Sequence, residues 1–236
     1  YKTADHLVVV NPIFINELVK FGIDKNKVTY IPNYVSKESF YKKTEKEVAL
    51  LKDKYGLPKD KFIILGVGQV QTRKGVKDFI EVAKQNPDLY FVWCGGFSFG
   101  KITDGYQELK EIWDNPPQNV NFLGIIPRAE MNDIYNIADV LFMPSYNELF
   151  PMSILEAVNL QKPILLRNLE LYEDILFHKY LYGENNEDFS EQLKKLSKDK
   201  DLYEKASKFS KEISDYYSKE HVADLWRDFY VKVSKK

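Results

Sequence analysis

Short apolar runs alternate with helical patterns along most of this chain, and that alternation is the strongest constraint on its fold. "FIILGVG" (Phe62–Gly68) is followed by a helical stretch after Gly75. Strand-like Leu89–Cys94 precedes a helix near Gln107–Trp113, and Val120–Leu123 precedes a helix over Ala129–Ile137. Val140–Met143 leads into a helix after Phe150, and Pro163–Leu166 follows it. Runs that are apolar at consecutive positions, not at alternate ones, belong to strands buried on both faces. The expected fold is therefore α/β, a Rossmann-like parallel sheet with helices on both faces. An earlier unit has the same pattern: strand Leu7–Val10, helix Pro12–Phe21, strand Val28–Ile31. A polar connector with a short helix around Lys46–Tyr55 separates the two series. From Asp188 onward the chain reads as helix. The last helix, "EHVADLWRDFYVKV", puts Val222, Leu225, Trp226, Phe229, Tyr230 and Val233 on one face, a pattern suited to docking against the protein body.

Composition narrows the function classes. With 236 residues, 44% of them hydrophobic, the chain can bury one or two cores. A formal charge of -1 gives no reason to expect nucleic acid as a partner. The single cysteine, Cys94, cannot form an internal disulfide, which fits a reducing, cytoplasmic setting. No apolar run is long enough to span a membrane, and no secretory signal is present. The chain starts on Tyr1, without a methionine or a tail, so it reads as a fragment of a longer protein.

Two loops carry candidate chemistry. "GVGQVQTRKGV" leaves a strand and enters a helix, with Gly66, Gly68 and Gly75 permitting tight turns and Arg73–Lys74 closing it. It matches neither a dinucleotide fingerprint nor a Walker loop. A solvated Arg–Lys pair and a phosphate site both fit. Cations at a helix N-terminus oppose its dipole, which favours an anion between them. The second loop, "ELFPMSILE", places Glu148 and Glu156 around the start of an apolar helix. Ser153, Glu156 and Asn159 recur every third residue and share one face. A buried glutamate with no cation near it in sequence needs a donor from elsewhere, either a protein group or a ligand hydroxyl. The bland reading is one capping and one internally hydrogen-bonded carboxylate. Both loops fall at strand ends, however, where one ligand could touch all four charged residues. Other candidates are poorer. His6, His178 and His221 lack ligand spacing, Asp199 and Asp201 sit in a lysine-rich helix junction, and Ser145 and Ser153 have no histidine nearby. Lys42, Lys43, Lys235 and Lys236 read as ordinary surface charges.

Taken together, these segments resemble the retaining family 4 glycosyltransferases of the GT-B fold, in their C-terminal half. "ADHLVVVNPIFINELVKFGIDKNKVTYIPNYV" resembles the last unit of that fold's N-terminal domain. "GVGQVQTRKGV" resembles the family's loop of "GR", spacer and "KG". "NELFPMSILEA" resembles its Glu-seven-Glu segment. Within the family, "FVWCGGFSFGKITDGY" and "PILLRNLELYEDIL" look most like bacterial, Gram-positive glycosyl-diacylglycerol synthases.

The resemblance implies a UDP-hexose donor, glucose or galactose, a glycolipid acceptor, no cofactor, no metal, and an absent N-terminal domain of the same chain as partner. A cytoplasmic location, peripheral on the inner membrane face, follows from it. It implies that Arg73 and Lys74 hold the diphosphate, with Gly68 and Gln69 in the same loop. Backbone N–H groups near Phe150, Met152 and Ser153 would add to that grip. Glu156 would meet the ribose, Glu148 the transferred sugar as the catalytic carboxylate, and Ile125 and Ile126 the base. Residues 1–34 would end the acceptor domain, 35–60 connect, 61–214 bind the nucleotide sugar and 215–236 form a terminal helix. Three positions depart from the family pattern: Gln69 replaces an Arg, Pro151 a Gly and Tyr34 a Gly. Competing readings are a GT-B sugar-nucleotide epimerase, which would want acid–base groups in the cleft, and a non-catalytic sugar-nucleotide-binding module.

Overall fold

Successive residues of the central strands feed two separate cores. In β3 (Ile63–Val67), Ile63 and Leu65 pack to one side and Ile64 to the other. In β4 (Tyr90–Cys94), Val92 and Cys94 oppose Phe91 and Trp93, and in β6 (Val140–Met143), Leu141 and Met143 oppose Val140 and Phe142. A strand whose side chains alternate in direction and are apolar at every position must be covered on both faces. The computed structural model describes residues 3–234 and shows this arrangement. With β5 (Val120–Gly124), β7 (Ile164–Arg167) and β8 (Leu181–Gly183), the strands form one parallel sheet in the order β5-β4-β3-β6-β7-β8.

That order reverses direction at β3. The chain runs outward from β3 through β4 to β5, then returns to pair β6 on the other side of β3. The helices that follow β3 and β6 therefore pack on opposite faces, and the loops at the C-terminal ends of the two strands border a crevice, the place where ligands bind in such sheets. Both candidate loops emerge there.

Helices α3 (Val76–Lys84) and α8 (Asn186–Lys198) cover one face; α5 (Met131–Ile137) and α6 (Met152–Asn159) lie on the side of the larger core, and α9 (Lys200–Tyr216) reaches both cores, through Ala206 and Ile213. The connector helix α2 (Glu45–Lys54) starts with a reciprocal cap. Thr44 Oγ1 accepts from Glu47 N–H at 3.3 Å, and the Glu47 carboxylate accepts from Thr44 N–H at 2.8 Å. Helix α4 spans Tyr106–Asp114. Strands β1 (Leu7–Val9) and β2 (Val28–Tyr30), with α1 (Ile13–Lys20) between them, make a separate two-stranded parallel sheet. Helix α10 (Lys219–Ser234) buries Val222 and sets Phe229 edge-on to His6 of the first unit. Lys235 and Lys236, read from sequence as surface charges, lie outside the described residues, as do Tyr1 and Lys2.

The sequence pattern did not separate out α7 (Glu170–Leu176) or the edge strand β8. Each is a single short element. The three residues of β8 are too few to show a period, and pairing with β7 alone defines them.

Gly66 and Gly75 are among the glycines fixed by space. A Cβ on Gly66 would stand 2.3 Å from the Trp93 ring. Gly75 has φ +68, and a Cβ there would meet the Pro144 carbonyl oxygen at 2.3 Å. Gly75 thus lets the β3 loop lie directly against the β6 loop. We expect Gly66→Ala to destabilise by about 1–3 kcal/mol through overpacking, read from the urea midpoint. Gly75→Ala should cost at least as much, because backbone strain adds to the clash.

Candidate active site

Glu148 lies midway along the loop between β6 and α6, and its side chain is only 6% exposed. Lys74, at the end of the 3-10 turn Thr72–Lys74, reaches across and places Nζ 2.5 Å from Glu148 Oε1. Arg73 Nη1 lies 3.8 Å from the other carboxylate oxygen and donates to the Asn147 carbonyl at 2.5 Å. Tyr146 N–H donates to the Arg73 carbonyl at 2.9 Å, so the two loops are also joined through backbone. Three of the four charged residues read from the two loops, Arg73, Lys74 and Glu148, therefore meet at the crevice.

Glu156, one turn into α6, is buried. Its carboxylate accepts a hydrogen bond from Arg128, whose guanidinium also lies over the Phe40 ring at 4.7 Å. Arg128 follows β5 in "IIPRAEM", and sequence reading missed it. It sits 28 residues from Glu156, so only its place just past a strand's C-terminal end could have signalled it. The other two polar residues on that helix face also find partners. Ser153 Oγ donates to Met143 Sδ at 3.1 Å. Asn159 donates to the Val35 carbonyl at 2.9 Å and accepts from Ser214 Oγ at 2.7 Å. The regular spacing marked a face that binds the connector and α9 as well as the crevice.

The remaining candidates play unequal parts. Gly68, at φ +147, takes its N–H to the Cys94 carbonyl and its carbonyl to Trp93 Nε1, and this fixes the loop to β4. Gln69 accepts from Gln71 Nε2 at 3.2 Å. Ile125 is 72% exposed at the end of β5, whereas Ile126 packs into the core. The Phe150 side chain is buried edge-on against Tyr217 at 5.5 Å, so it anchors the loop and can offer a ligand only its backbone. Met152 and Ser153 open α6, where N–H groups have no intrahelical acceptor. Pro151 occupies the cap position and gives up one donor there.

Residues behind the site hold it in place. Asn11, fully buried, donates to the carbonyls of Leu149 and Leu171 at 3.2 and 3.3 Å, tying the Glu148 loop to the first unit. Arg167 donates through Nε to the Pro144 carbonyl and stacks on Tyr146 at 4.0 Å. Tyr172 and Tyr135 are buried without a hydrogen-bond partner among the described residues. Burial, reinforced by Glu148 near Tyr172 and by Glu156 near Tyr135, holds both phenols well above their usual pKa, so both stay protonated. Burial also pushes the Cys94 thiol up to about 12, which removes it as a nucleophile. His6 and His221 lie against Phe229 and Tyr216, away from the crevice. Among the described residues, no group of three or more His, Cys, Asp or Glu could hold a metal ion.

Two cations over a buried carboxylate, beside helix N–H groups without an intrahelical acceptor, offer donors to an anion and an acceptor to hydroxyls. Residues 48–213 match the family model described as glycosyl transferases group 1, and the chain belongs to that family. It is 47% identical over 236 residues to an alpha-galactosylglucosyldiacylglycerol synthase of Streptococcus pneumoniae, covering 98% of this chain and 62% of the relative. It is 33% identical to a processive diacylglycerol alpha-glucosyltransferase of Acholeplasma laidlawii, covering 73% of this chain and 51% of that one. The chain thus spans roughly half to three fifths of the length of these relatives. Among solved structures, HepE of Anabaena with UDP and glucose superposes with a TM-score of 0.83 at 16% identity, over 99% of this chain and 64% of that one. Sucrose-phosphate synthase of Thermosynechococcus elongatus also gives 0.83, at 20% identity, over 99% and 59%. At such identities the likeness establishes the fold.

The Lys74–Glu148 pair sets a stability prediction. Lys74→Ala leaves a buried carboxylate with only Arg73 nearby and should destabilise by about 3 kcal/mol. The double variant Lys74→Met, Glu148→Leu should recover most of that loss in chemical denaturation, because no charge is then left buried without its partner.

Proposed function

We propose that this chain is the donor-binding half of a retaining hexosyltransferase that moves glucose or galactose from a UDP-sugar to a glycosyl-diacylglycerol-type acceptor. The observation that carries the reading is the meeting of Arg73, Lys74 and Glu148 at the crevice between β3 and β6. The relatives' names, a galactosylglucosyldiacylglycerol synthase and a diacylglycerol glucosyltransferase, support the substrate class. The superposition on a protein solved with UDP and glucose supports the nucleotide. Residues 1–34 then belong to the acceptor-side domain, 35–60 are the connector, 61–214 bind the donor and the terminal helix packs back on the first unit. Among the described residues no helix is long and apolar enough to cross a membrane. A cytoplasmic enzyme that meets its acceptor peripherally, at the inner membrane face, accords with that reading.

Cleavage of the bond to the anomeric carbon builds negative charge on the leaving diphosphate. Fixed cations stabilise that charge without reorganising, and here Arg73 and Lys74 are already positioned by the β6 loop. The N–H groups of Met152 and Ser153 add the positive end of α6. Glu148, held by Lys74, accepts hydroxyls of the hexose. Glu156 accepts the ribose hydroxyls, which take the place of the Arg128 guanidinium. Ile125 offers an exposed apolar surface and backbone groups to the base.

Calorimetric titration tests these roles. Lys74→Ala should weaken UDP binding by about 1.5–3 kcal/mol, the worth of a charge-assisted hydrogen bond; unchanged affinity would remove the loop from the site. Glu156→Ala should weaken UDP and UDP-glucose alike. Glu148→Gln should spare UDP, weaken UDP-glucose, and in the whole enzyme lower turnover. Equal loss of UDP affinity in both glutamate variants contradicts the division. The 236-residue chain alone should bind donor without transferring hexose, since acceptor positioning supplies about 7–11 kcal/mol of the barrier. Glycolipid formation by this chain at the rate of the whole enzyme would place the acceptor site within it.

A further inference from the structure

The turn from α6 into β7 lies at the N-terminal edge of the sheet, opposite the crevice. A cleft of about 500 Å³ opens there, between the connector with α2, the end of α5, and α9. Its walls carry Lys42, Lys43, Lys52, Lys59 and Lys162. Two of these are accounted for: Lys43 pairs with Asp133 at 2.7 Å and Lys59 with Asp53 at 2.8 Å. Lys42, Lys52 and Lys162 have no carboxylate within 4.0 Å among the described residues.

Lys162 is the most deeply placed, and among the described residues its ammonium makes one hydrogen bond, to the Asn136 carbonyl at 3.2 Å. Burial foremost, then repulsion from Lys42 and Lys52 against the pull of Asp139, brings its ammonium down to about 8. The two acids of the cleft do not balance the three lysines. Asp139 spends one carboxylate oxygen on the Ile63 N–H at 2.7 Å, and Glu45 is exposed in the first turn of α2.

Beside Lys162 stands Gln161 at φ 55, in the left-handed region usually given to glycine. It ends α6 with the paired bonds Gln161 N–H to Val158 and Lys162 N–H to Ala157. That conformation closes the helix and turns the chain toward β7. The Gln161 side chain lies in the cleft, where its Oε1 accepts from Lys42 at 2.7 Å and its amide protons remain to donate. Repelling cations gathered in a concave, half-buried place are stabilised by an anion. A phosphate monoester, at about -1.5 to -2 charge with three acceptor oxygens, matches three ammonium groups.

We propose that this cleft is a second anion site, in which Lys42, Lys52, Lys162 and the Gln161 amide hold the phosphate group of a ligand other than the sugar donor. The phosphate belongs either to a free phosphate ester or to a lipid headgroup reached at a membrane surface.

The test is calorimetric titration of pyrophosphate into the 236-residue chain at fixed ionic strength. The wild type should show two binding events. The pair Lys42→Gln, Lys52→Gln, neither in an ion pair among the described residues, should abolish one or weaken it by about tenfold or more. Lys74→Ala should leave that event intact and remove the other; if Lys74→Ala changes nothing while the pair still loses its event, the donor reading fails and this one stands. A double variant that titrates like the wild type, with its circular dichroism unchanged, overturns the proposal. Co-sedimentation with phosphatidylglycerol and phosphatidylcholine vesicles assigns the source. Recruitment by the anionic vesicles that is lost in the double variant assigns a headgroup, and equal recruitment of both proteins assigns a free phosphate ester.

Discussion

Burying the Glu148 carboxylate is the constraint around which the crevice end of the sheet is arranged. A carboxylate taken out of water without a cation is among the most costly features a fold can hold. Here the cation arrives from a loop 74 residues earlier, and it reaches Glu148 because two loops lie in direct contact. Gly75 permits that contact by leaving room for the Pro144 carbonyl. Arg167 and Asn11 brace the far side by binding carbonyls of Pro144 and Leu149. Remove the close approach of the β3 and β6 loops, and Lys74 and Glu148 each become an unpaired charge.

The second glutamate solves the same problem differently. Glu156 pairs with Arg128, an exposed guanidinium on a surface turn, whereas Lys74 is itself largely buried. One carboxylate is therefore held by a fixed partner and the other by one that can move into solvent at small cost. That difference suits their proposed roles. A carboxylate that meets the reacting sugar benefits from a rigid neighbour, and one that meets ribose must exchange its partner for hydroxyls. Protonated Tyr172 and Tyr135 stand behind the two carboxylates.

Helix α6 links more of the molecule than its eight residues suggest. Its first turn faces the crevice, its middle carries Glu156, and Asn159 near its end joins the connector to α9. Beyond it, Gln161 and Lys162 enter the basic cleft. Every polar residue on this helix is committed to a different neighbouring element, which accounts for polar groups at regular intervals on a helix otherwise buried.

The order of elements was legible in the sequence because the central strands are apolar at every position, a pattern that only a doubly covered parallel sheet satisfies. Strand ends then singled out Arg73, Lys74, Glu148 and Glu156 as candidates, since ligands in such sheets bind beyond the C-terminal edge. Resemblance added the family, which the match over residues 48–213 bears out. Short elements were not legible: α7 and β8 are too brief to show a period, and pairing with β7 defines the strand. Nor could sequence assign partners. It required a donor for Glu156 without naming Arg128, spaced Ser153, Glu156 and Asn159 without saying what each would touch, and treated Lys42 and Lys43 as surface charges although both line one cleft. Periodicity is local and reports which way a side chain points; which charge stands opposite depends on loops brought together across the sheet, and only the tertiary structure decides that.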